Sequence, residues 1–369
     1  MWPNYKHSIM NITNSIYRYY GIKPYHASLP LLDTLLEDKP KHICLMVLDG
    51  FGVNLLSKHL QPNDFLNRHV VSTLTSVFPP TTVAATTSIL TGLTPYETGY
   101  LGWFQYFKDS DLYYTVFLNE DYYAKDKTIP KDFQSTYFKH TPFTETIAKE
   151  TAVKSHIFYP KLIDKNGYNT IEEGVQSWID FTFKHAKTVS YFYITEPDLS
   201  EHTYGVDSLE TKQIVRTLNT ILEKAQNHLK ENTCVIVTAD HGLTNVIPIP
   251  LFDYHDLTSM FEHLPANEPR ATVFFIKEDR THDFKQVFNT HFSEHFELFS
   301  ITDFLDQNHF GFGKEHPNIK CCLGNYIAVA KGPYYFQLDA SVTHKGHHAG
   351  IKEDEMQVPL IVFTDAKED

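Results

Sequence analysis

The chain of 369 residues has little cysteine, no long apolar run and a deficit of positive charge. Its four cysteines are Cys44, Cys234, Cys321 and Cys322, and no pair has a CxxC spacing. Cys44 and Cys234 sit in apolar, strand-like runs, so they read as buried free thiols of a reducing compartment. No apolar run approaches the roughly 18 residues of a membrane span. The opening MWPNYKHSIMNITNSIYRYY holds no apolar h-region, so the expectation is a cytoplasmic protein without a secretory signal. In that setting the glycosylation pattern Asn11-Ile12-Thr13 carries no weight. Lys and Arg number 32 against 45 Asp and Glu, a net charge of −13. That balance argues against a nucleic-acid polymer or an anionic membrane as main partner. A chain of this sign that binds phosphate needs local positive charge, and a metal is one way to supply it. There is no internal repeat and no low-complexity tract.

What is present is an ordinary core composition, 42% hydrophobic, in a chain long enough for one large α/β domain. HICLMVLDG (42–50), TVSYFYITEPD (188–198) and TCVIVTADHG (233–242) are continuous apolar runs, each followed by an aspartate. They read as buried parallel strands. KSHIFYP (154–160), NYIAVAKG (325–332) and the VPLIVF near the end read as further strands. Helices are expected over 81–91, 143–150 and 170–185. Another follows Asp207 or Ser208, where Ile214, Leu218, Ile221, Leu222, Ala225 and Leu229 keep a helical stripe. Strands alternating with helices predict a doubly wound, mostly parallel sheet with helices on both faces. The pattern loosens from about 246 to 325, where a small inserted subdomain is expected within a single 1–369 domain.

Twenty-one histidines are many, and a few of them stand beside aspartates at strand ends. Asp49, Asp198 and Asp240 end three strands, the place where open α/β sheets put their sites. Asp198 and His202 are spaced i, i+4, so a helix there puts both on one face. Asp240 and His241 are adjacent, and His347 and His348 lie among small residues. Each pair alone fits an Asp–His hydrogen bond that fixes a tautomer. Together, three carboxylates and three imidazoles make a donor set for two divalent ions, zinc being the metal that suits it. FPPTTVAATTSILTG (78–92) adds Thr81 and Thr82 at a helix start. One reading is helix capping; the other is a nucleophilic hydroxyl beside N–H groups that favour phosphate.

MVLDGFG, FPPTTVAATTSILTG, EPDLSEHTYG, TADHG and HHAG followed by VPLIV occur in this order from about 45 to 363. They resemble the alkaline phosphatase superfamily and, within it, the type I phosphodiesterase/nucleotide pyrophosphatase family. The resemblance implies an alkaline-phosphatase-like fold. It also implies that the nucleophile is the threonine nine residues before that of Thr91-Gly92, which is Thr82. It divides the ligands into Asp49, Thr82, Asp240 and His241 for one zinc, and Asp198, His202 and His348 for the other. His348 is chosen over His347 because the family's His-Gly pair aligns with His348-Ala349. The family pattern is broken at Ala85, where nucleotide-cleaving members carry an asparagine that helps hold phosphate. It is broken again at Ala349, where the family has glycine, and at Thr98, where it has histidine.

The expected chemistry is hydrolysis of a small phosphodiester or pyrophosphate by a zinc-activated Thr82, through a phospho-threonine intermediate. None of the five blocks contains arginine, the usual partner for the extra charge of a monoester. A phosphomonoesterase and a catalytically silent metal-binding module are the alternatives. Asn119 is a candidate to replace the missing asparagine. Tyr100 and Trp103, in GYLGWFQYF (99–107), are candidates to stack on a flat leaving group, packing into the core being their other reading.

Overall fold

The three runs that read as buried strands are buried at every position: His42–Leu48, Thr188–Ile194 and Thr233–Thr238. In a computed structural model that describes residues 1–366 they form the centre of a six-stranded sheet. The last three residues of the expected 1–369 domain lie outside the described residues. The strand order is Val70–Thr75, Gln357–Thr364, Thr233–Thr238, His42–Leu48, Thr188–Ile194, Lys154–Phe158. Only Gln357–Thr364 runs antiparallel to its neighbours. On one face Thr82–Thr91 packs against Ile9–Tyr19 and Phe143–Glu150. On the other Leu209–Gln226 packs against Val53–His59, Phe65–Arg68 and Ile171–Lys184. The sheet is thus doubly wound and mostly parallel. Ser208, whose hydroxyl accepts the Thr211 N–H at 3.0 Å, caps the long helix.

A second, seven-stranded antiparallel sheet stands beside the first. Residues 246–325 supply Phe261–Glu268, Ala271–Ile276 and Phe296–Ser300. Phe104–Phe107, Leu112–Thr115, Glu120–Asp121 and Tyr326–Ala330 complete it from outside that stretch. The helix Thr281–Phe292 covers it with Phe284, Phe288 and Phe292, buried at i, i+4 and i+8. Aromatic rings dominate this second core, and Phe296 stacks on Phe336 with centroids 4.2 Å apart. No described helix is long and apolar enough to cross a membrane.

Five parallel strands end on one rim of the first sheet, and the chain just after three of them carries the aspartates. Gly50, at φ 76°, makes the turn beside Asp49. A Cβ there would lie 2.9 Å from Asp198 Cα, so only glycine fits. The second sheet brings the hairpin between Phe261–Glu268 and Ala271–Ile276 to the same rim.

Candidate active site

Asp49, Asp198, Asp240, His202, His241 and His348 converge at that rim in two groups. Asp49, Asp240 and His241 form one, and Asp198, His202 and His348 the other. In each, one possible ligand atom per residue lies within 4.8 Å of the others. His241 Nε2 is 3.5 Å from both Asp49 Oδ1 and Asp240 Oδ2. His202 Nε2 is 3.3 Å and His348 Nε2 3.9 Å from Asp198 Oδ1. The His241 and His348 rings stack at 3.9 Å, which joins the groups. Asp198 and His202 share a face because Asp198–Tyr204 is helical.

Each of two aspartates has one oxygen held by protein and one left bare. Asp49 Oδ2 accepts from the Tyr193 hydroxyl, and Asp240 Oδ1 accepts the N–H groups of Gly50 and His241 at 3.2 and 3.0 Å. Asp49 Oδ1, Asp240 Oδ2 and Asp198 Oδ1 are buried without a hydrogen-bond partner. The imidazoles are aimed to match. His202 Nδ1 stands 2.9 Å from the Gly346 carbonyl and His241 Nδ1 3.3 Å from that of Gly242, so in a neutral ring that donates to its carbonyl Nε2 turns its lone pair inward. Lone pairs facing bare carboxylate oxygens repel unless a proton or a cation lies between them. The donor set therefore fits divalent metal ions.

The ionisation of the cluster shows the same strain. Burial, with the charges of Asp240 and Asp198, pushes the Asp49 carboxyl well above the usual range. Burial also raises Asp240, against the pull of His241. Burial raises Asp198 as well, but a protonated His202 outweighs it and holds the group low, and Asp198 in turn raises His202 against its burial, a proton thus standing where a cation would. Burial beside other imidazoles drives His347 and His348 well down.

Thr82 opens the helix Thr82–Thr91, and its Oγ1 is 3.2 Å from His241 Nε2. Thr81 occupies the cap position, yet its hydroxyl caps nothing. It donates instead to Glu268 Oε1 at 2.7 Å. Thr82, Asp198, His202 and His348 line a pocket of about 330 Å³. Trp103 lines it too. Tyr100 does not reach it: the residue is buried and its hydroxyl donates to the Phe138 carbonyl at 2.6 Å. Asn119 is also kept away, because its Oδ1 accepts from Tyr114 at 2.9 Å while Leu118 and Glu120 line the pocket on either side of it. The far larger groove, of about 1080 Å³, lies at the opposite rim and holds none of these residues.

Sequence reasoning missed Tyr193, Glu268 and Arg270. Tyr193 lies in a strand already read as buried, and an acceptor for its hydroxyl was a fair expectation. Glu268 and Arg270 flank Pro269 in a hairpin with no local mark of burial, although both are 1% exposed or less. Arg270 is the arginine nearest the histidine loop. Its Nε and Nη2 each reach the Glu355 carboxylate at 2.7 Å, and Nη1 donates to the Gly332 and Tyr334 carbonyls. Glu355 Oε1 in turn accepts the Gly350 N–H at 2.8 Å. The guanidinium is committed to holding the loop that carries His347 and His348.

Fold and cluster together define a class: an α/β protein with a two-centre carboxylate–imidazole site facing a hydroxyl at a helix start. The sequence profile described as type I phosphodiesterase/nucleotide pyrophosphatase matches residues 43–297, more than half of the chain. The chain belongs to that family, which comprises metal-dependent hydrolases of phosphoric ester bonds in the alkaline phosphatase superfamily. Human ectonucleotide pyrophosphatase/phosphodiesterase family member 7 is 38% identical over 77 residues. That match spans 20% of this chain and 16% of the relative. Murine ectonucleotide pyrophosphatase/phosphodiesterase 5, solved as an inactive threonine-to-alanine variant in complex with AMP, superposes with a TM-score of 0.67. It is 19% identical, over 88% of each chain. The human counterpart gives 0.66 at 18% identity, also over 88% of each. These two likenesses speak for the fold alone.

Proposed function

We infer that the protein is a two-metal hydrolase of small phosphodiesters or pyrophosphates with Thr82 as nucleophile. The observation that carries this reading is the set of three buried, partnerless carboxylate oxygens beside inward-facing imidazoles, with the Thr82 hydroxyl at their edge. Asp49, Asp240, His241 and Thr82 would hold one ion, and Asp198, His202 and His348 the other; mixed oxygen and nitrogen donors favour zinc. When bound, such ions supply positive charge to the attacking hydroxyl, the phosphoryl oxygens and the departing oxygen. The chain does the rest. The start of the Thr82–Thr91 helix offers free N–H groups to the phosphoryl oxygens. Tyr193 fixes Asp49, and backbone N–H groups fix Asp240. Thr82 Oγ forms a bond to phosphorus as the bond to the leaving oxygen breaks, and water then cleaves the phospho-threonine.

A diester or pyrophosphate is favoured over a monoester because Arg270 is tied to Glu355 and two carbonyls. Lys125 is the one Lys or Arg among the residues lining the pocket. The AMP bound to the murine relative supports a phosphate-bearing ligand for this site. Ala85, fully buried, gives no donor where nucleotide-cleaving members have asparagine. A cytoplasmic location belongs to the same reading and rests on Cys44, Cys234, Cys321 and Cys322 being free thiols; cell fractionation tests it.

The test is metal content together with turnover of bis(4-nitrophenyl) phosphate and 4-nitrophenyl phosphate. The diester is expected to be preferred. Thr82→Ala is expected to cut turnover at least about 10⁴-fold, and Thr81→Ala by no more than about tenfold. Preference for the monoester would make the protein a phosphatase. Bound zinc without turnover of either ester would make it a binding module.

A further inference from the structure

The hairpin tip Asn267-Glu268-Pro269-Arg270 enters the site from the second sheet. Asn267, at φ 86°, closes the tip by donating from Nδ2 to the Ala271 carbonyl at 3.0 Å. The loop before Phe104 presses directly on it: a Cβ at Gly102 would lie 2.3 Å from Asn267 Oδ1. Next to this contact, Glu268 is buried to 1% exposure. Its Oε1 accepts both the Thr81 hydroxyl at 2.7 Å and the Trp103 N–H at 2.6 Å. One carboxyl oxygen therefore joins the residue before Thr82 to the loop that lines the pocket.

The other oxygen is free. Among the described residues no hydrogen-bond donor reaches Oε2 and no Lys, Arg or His forms an ion pair with Glu268, which lines the pocket together with Thr82, Asp198 and His202. Lys125, the cation of that pocket, is directed to Glu120 at 3.9 Å. Burial pushes this carboxyl up from 4.5 to about 7, so it is an anion above neutral pH, with its charge turned to whatever the pocket holds.

We propose that Glu268 is a specificity-determining residue that sorts substrates by the charge on phosphorus. Oε1 sets Thr81 and Trp103 in place, and Oε2 faces the substituent of the bound phosphoryl group. A diester carries one negative charge and presents an ester oxygen on that side. At a pH where Glu268 is ionised, a monoester carries two and presents a charged oxygen, which the carboxylate repels. This deepens the hydrolase reading and rests on it.

Glu268→Gln keeps an oxygen acceptor for Thr81 and Trp103 and removes the charge. Above neutral pH, at about pH 8.5, the ratio of kcat/KM for 4-nitrophenyl phosphate to that for bis(4-nitrophenyl) phosphate is expected to rise at least about tenfold, through KM of the monoester, with Tm not lowered. An equal change for both esters would mark a merely structural residue and overturn the proposal. Glu268→Ala loses the Oε1 contacts as well. It is expected to lower kcat on both esters and also to lose the diester preference; retention of that preference overturns the proposal too. A binding measurement separates this idea from the hydrolase reading. In zinc-loaded Thr82→Ala protein, adding Glu268→Gln is expected to tighten inorganic phosphate at least about tenfold by calorimetry. Unchanged affinity overturns the proposal. Tighter phosphate in a protein whose wild type cleaves neither ester overturns the hydrolase reading and keeps the charge sorting.

Discussion

The two rims of the main sheet carry opposite charges in opposite settings. At the amino rim Lys41, Lys154 and Lys187 stand abreast at the starts of three neighbouring strands. The Thr188 N–H donates to the Lys41 carbonyl at 3.1 Å and the Lys154 N–H to that of Lys187 at 3.2 Å. With Arg18, Lys39 and Lys184 they border the larger groove, and all six side chains are exposed. At the carboxyl rim Asp49 and Asp198 follow two of the same strands, Asp240 follows the next strand over, and all three are buried. Like charges in water repel weakly, whereas like charges under protein cost several kcal/mol. The amino rim needs no ligand to explain it. Its unpartnered polar atoms, Tyr20 Oη, His42 Nε2 and Asp33 Oδ1, are a neutral hydroxyl, a ring nitrogen of an imidazole kept neutral by burial, and one oxygen of a carboxylate whose other oxygen already accepts from Ser28. The carboxyl rim holds three converging bare anionic oxygens, and a bound cation relieves them. Burial of charge, not size of cavity, is what separates the two.

The largest effect that would break this contrast is on the metal-free protein. Asp49→Asn keeps an acceptor for Tyr193 and removes one of three buried charges. In the presence of a chelator it is expected to stabilise the protein by about 1–3 kcal/mol, because burial and the flanking aspartates disfavour the anion. With zinc added, the rise in Tm seen for the wild type should shrink or vanish. A lower Tm in chelator with an unchanged zinc response would mean that the carboxyl rim is no more strained than the amino one.

The carboxyl rim was the more legible end because its residues announce themselves locally. Asp49, Asp198 and Asp240 each follow an uninterrupted apolar run, and such a run fixes both strand and direction. Thr82 follows two prolines, and the Asp198–His202 spacing becomes a shared face once the segment is helical. What could not be read depends on contacts between distant parts. Glu268 acts through Thr81, 187 residues away, and Arg270 through Glu355, 85 residues away. The run GYLGWFQYF shows the limit within nine letters. Tyr100 turns into the core and bonds Phe138, while Trp103, whose N–H bonds Glu268, reaches the pocket, and both partners are far off in the sequence. Asn119 looked free because its loop is exposed, but Tyr114 from the adjacent strand claims its side chain. Expecting an insertion over 246–325 drew on a loss of helical pattern, and a sheet built from three separate stretches has no continuous signature.

The next prediction concerns His42, which opens the central strand beside the lysines. Its Nδ1 is 2.9 Å from Thr188 Oγ1, and burial, helped by Lys230, Lys41 and His185, pushes its pKa down from 6.5 to about 4. A depressed histidine favours the neutral form in the folded state, so the unfolded chain binds the extra proton between those two values. Stability is then expected to fall as pH drops from about 6.5 toward about 4, by about 1–2 kcal/mol once solvent screening is allowed for. His42→Gln should remove that part of the acid sensitivity, measured as the difference in urea unfolding between pH 7 and pH 5. An identical pH dependence in wild type and variant would show that neither burial nor the neighbouring cations depress His42.

The smallest effect discriminates best between the two rims, because it asks how each responds to salt. Exposed lysines a strand apart are screened once the Debye length falls below their separation, from about 10 Å at 0.1 M to about 3 Å at 1 M. Neutral salt should therefore stabilise the wild type through the amino rim by no more than about 0.5 kcal/mol. That gain should be absent in the Lys41→Gln/Lys187→Gln double variant. The Asp49→Asn gain in chelator should stay the same in 0.1 M and 1 M salt, since mobile ions do not enter a buried cluster. If the aspartate effect were the one that salt erased, those carboxylates would be solvated, and nothing would then call for a cation between them.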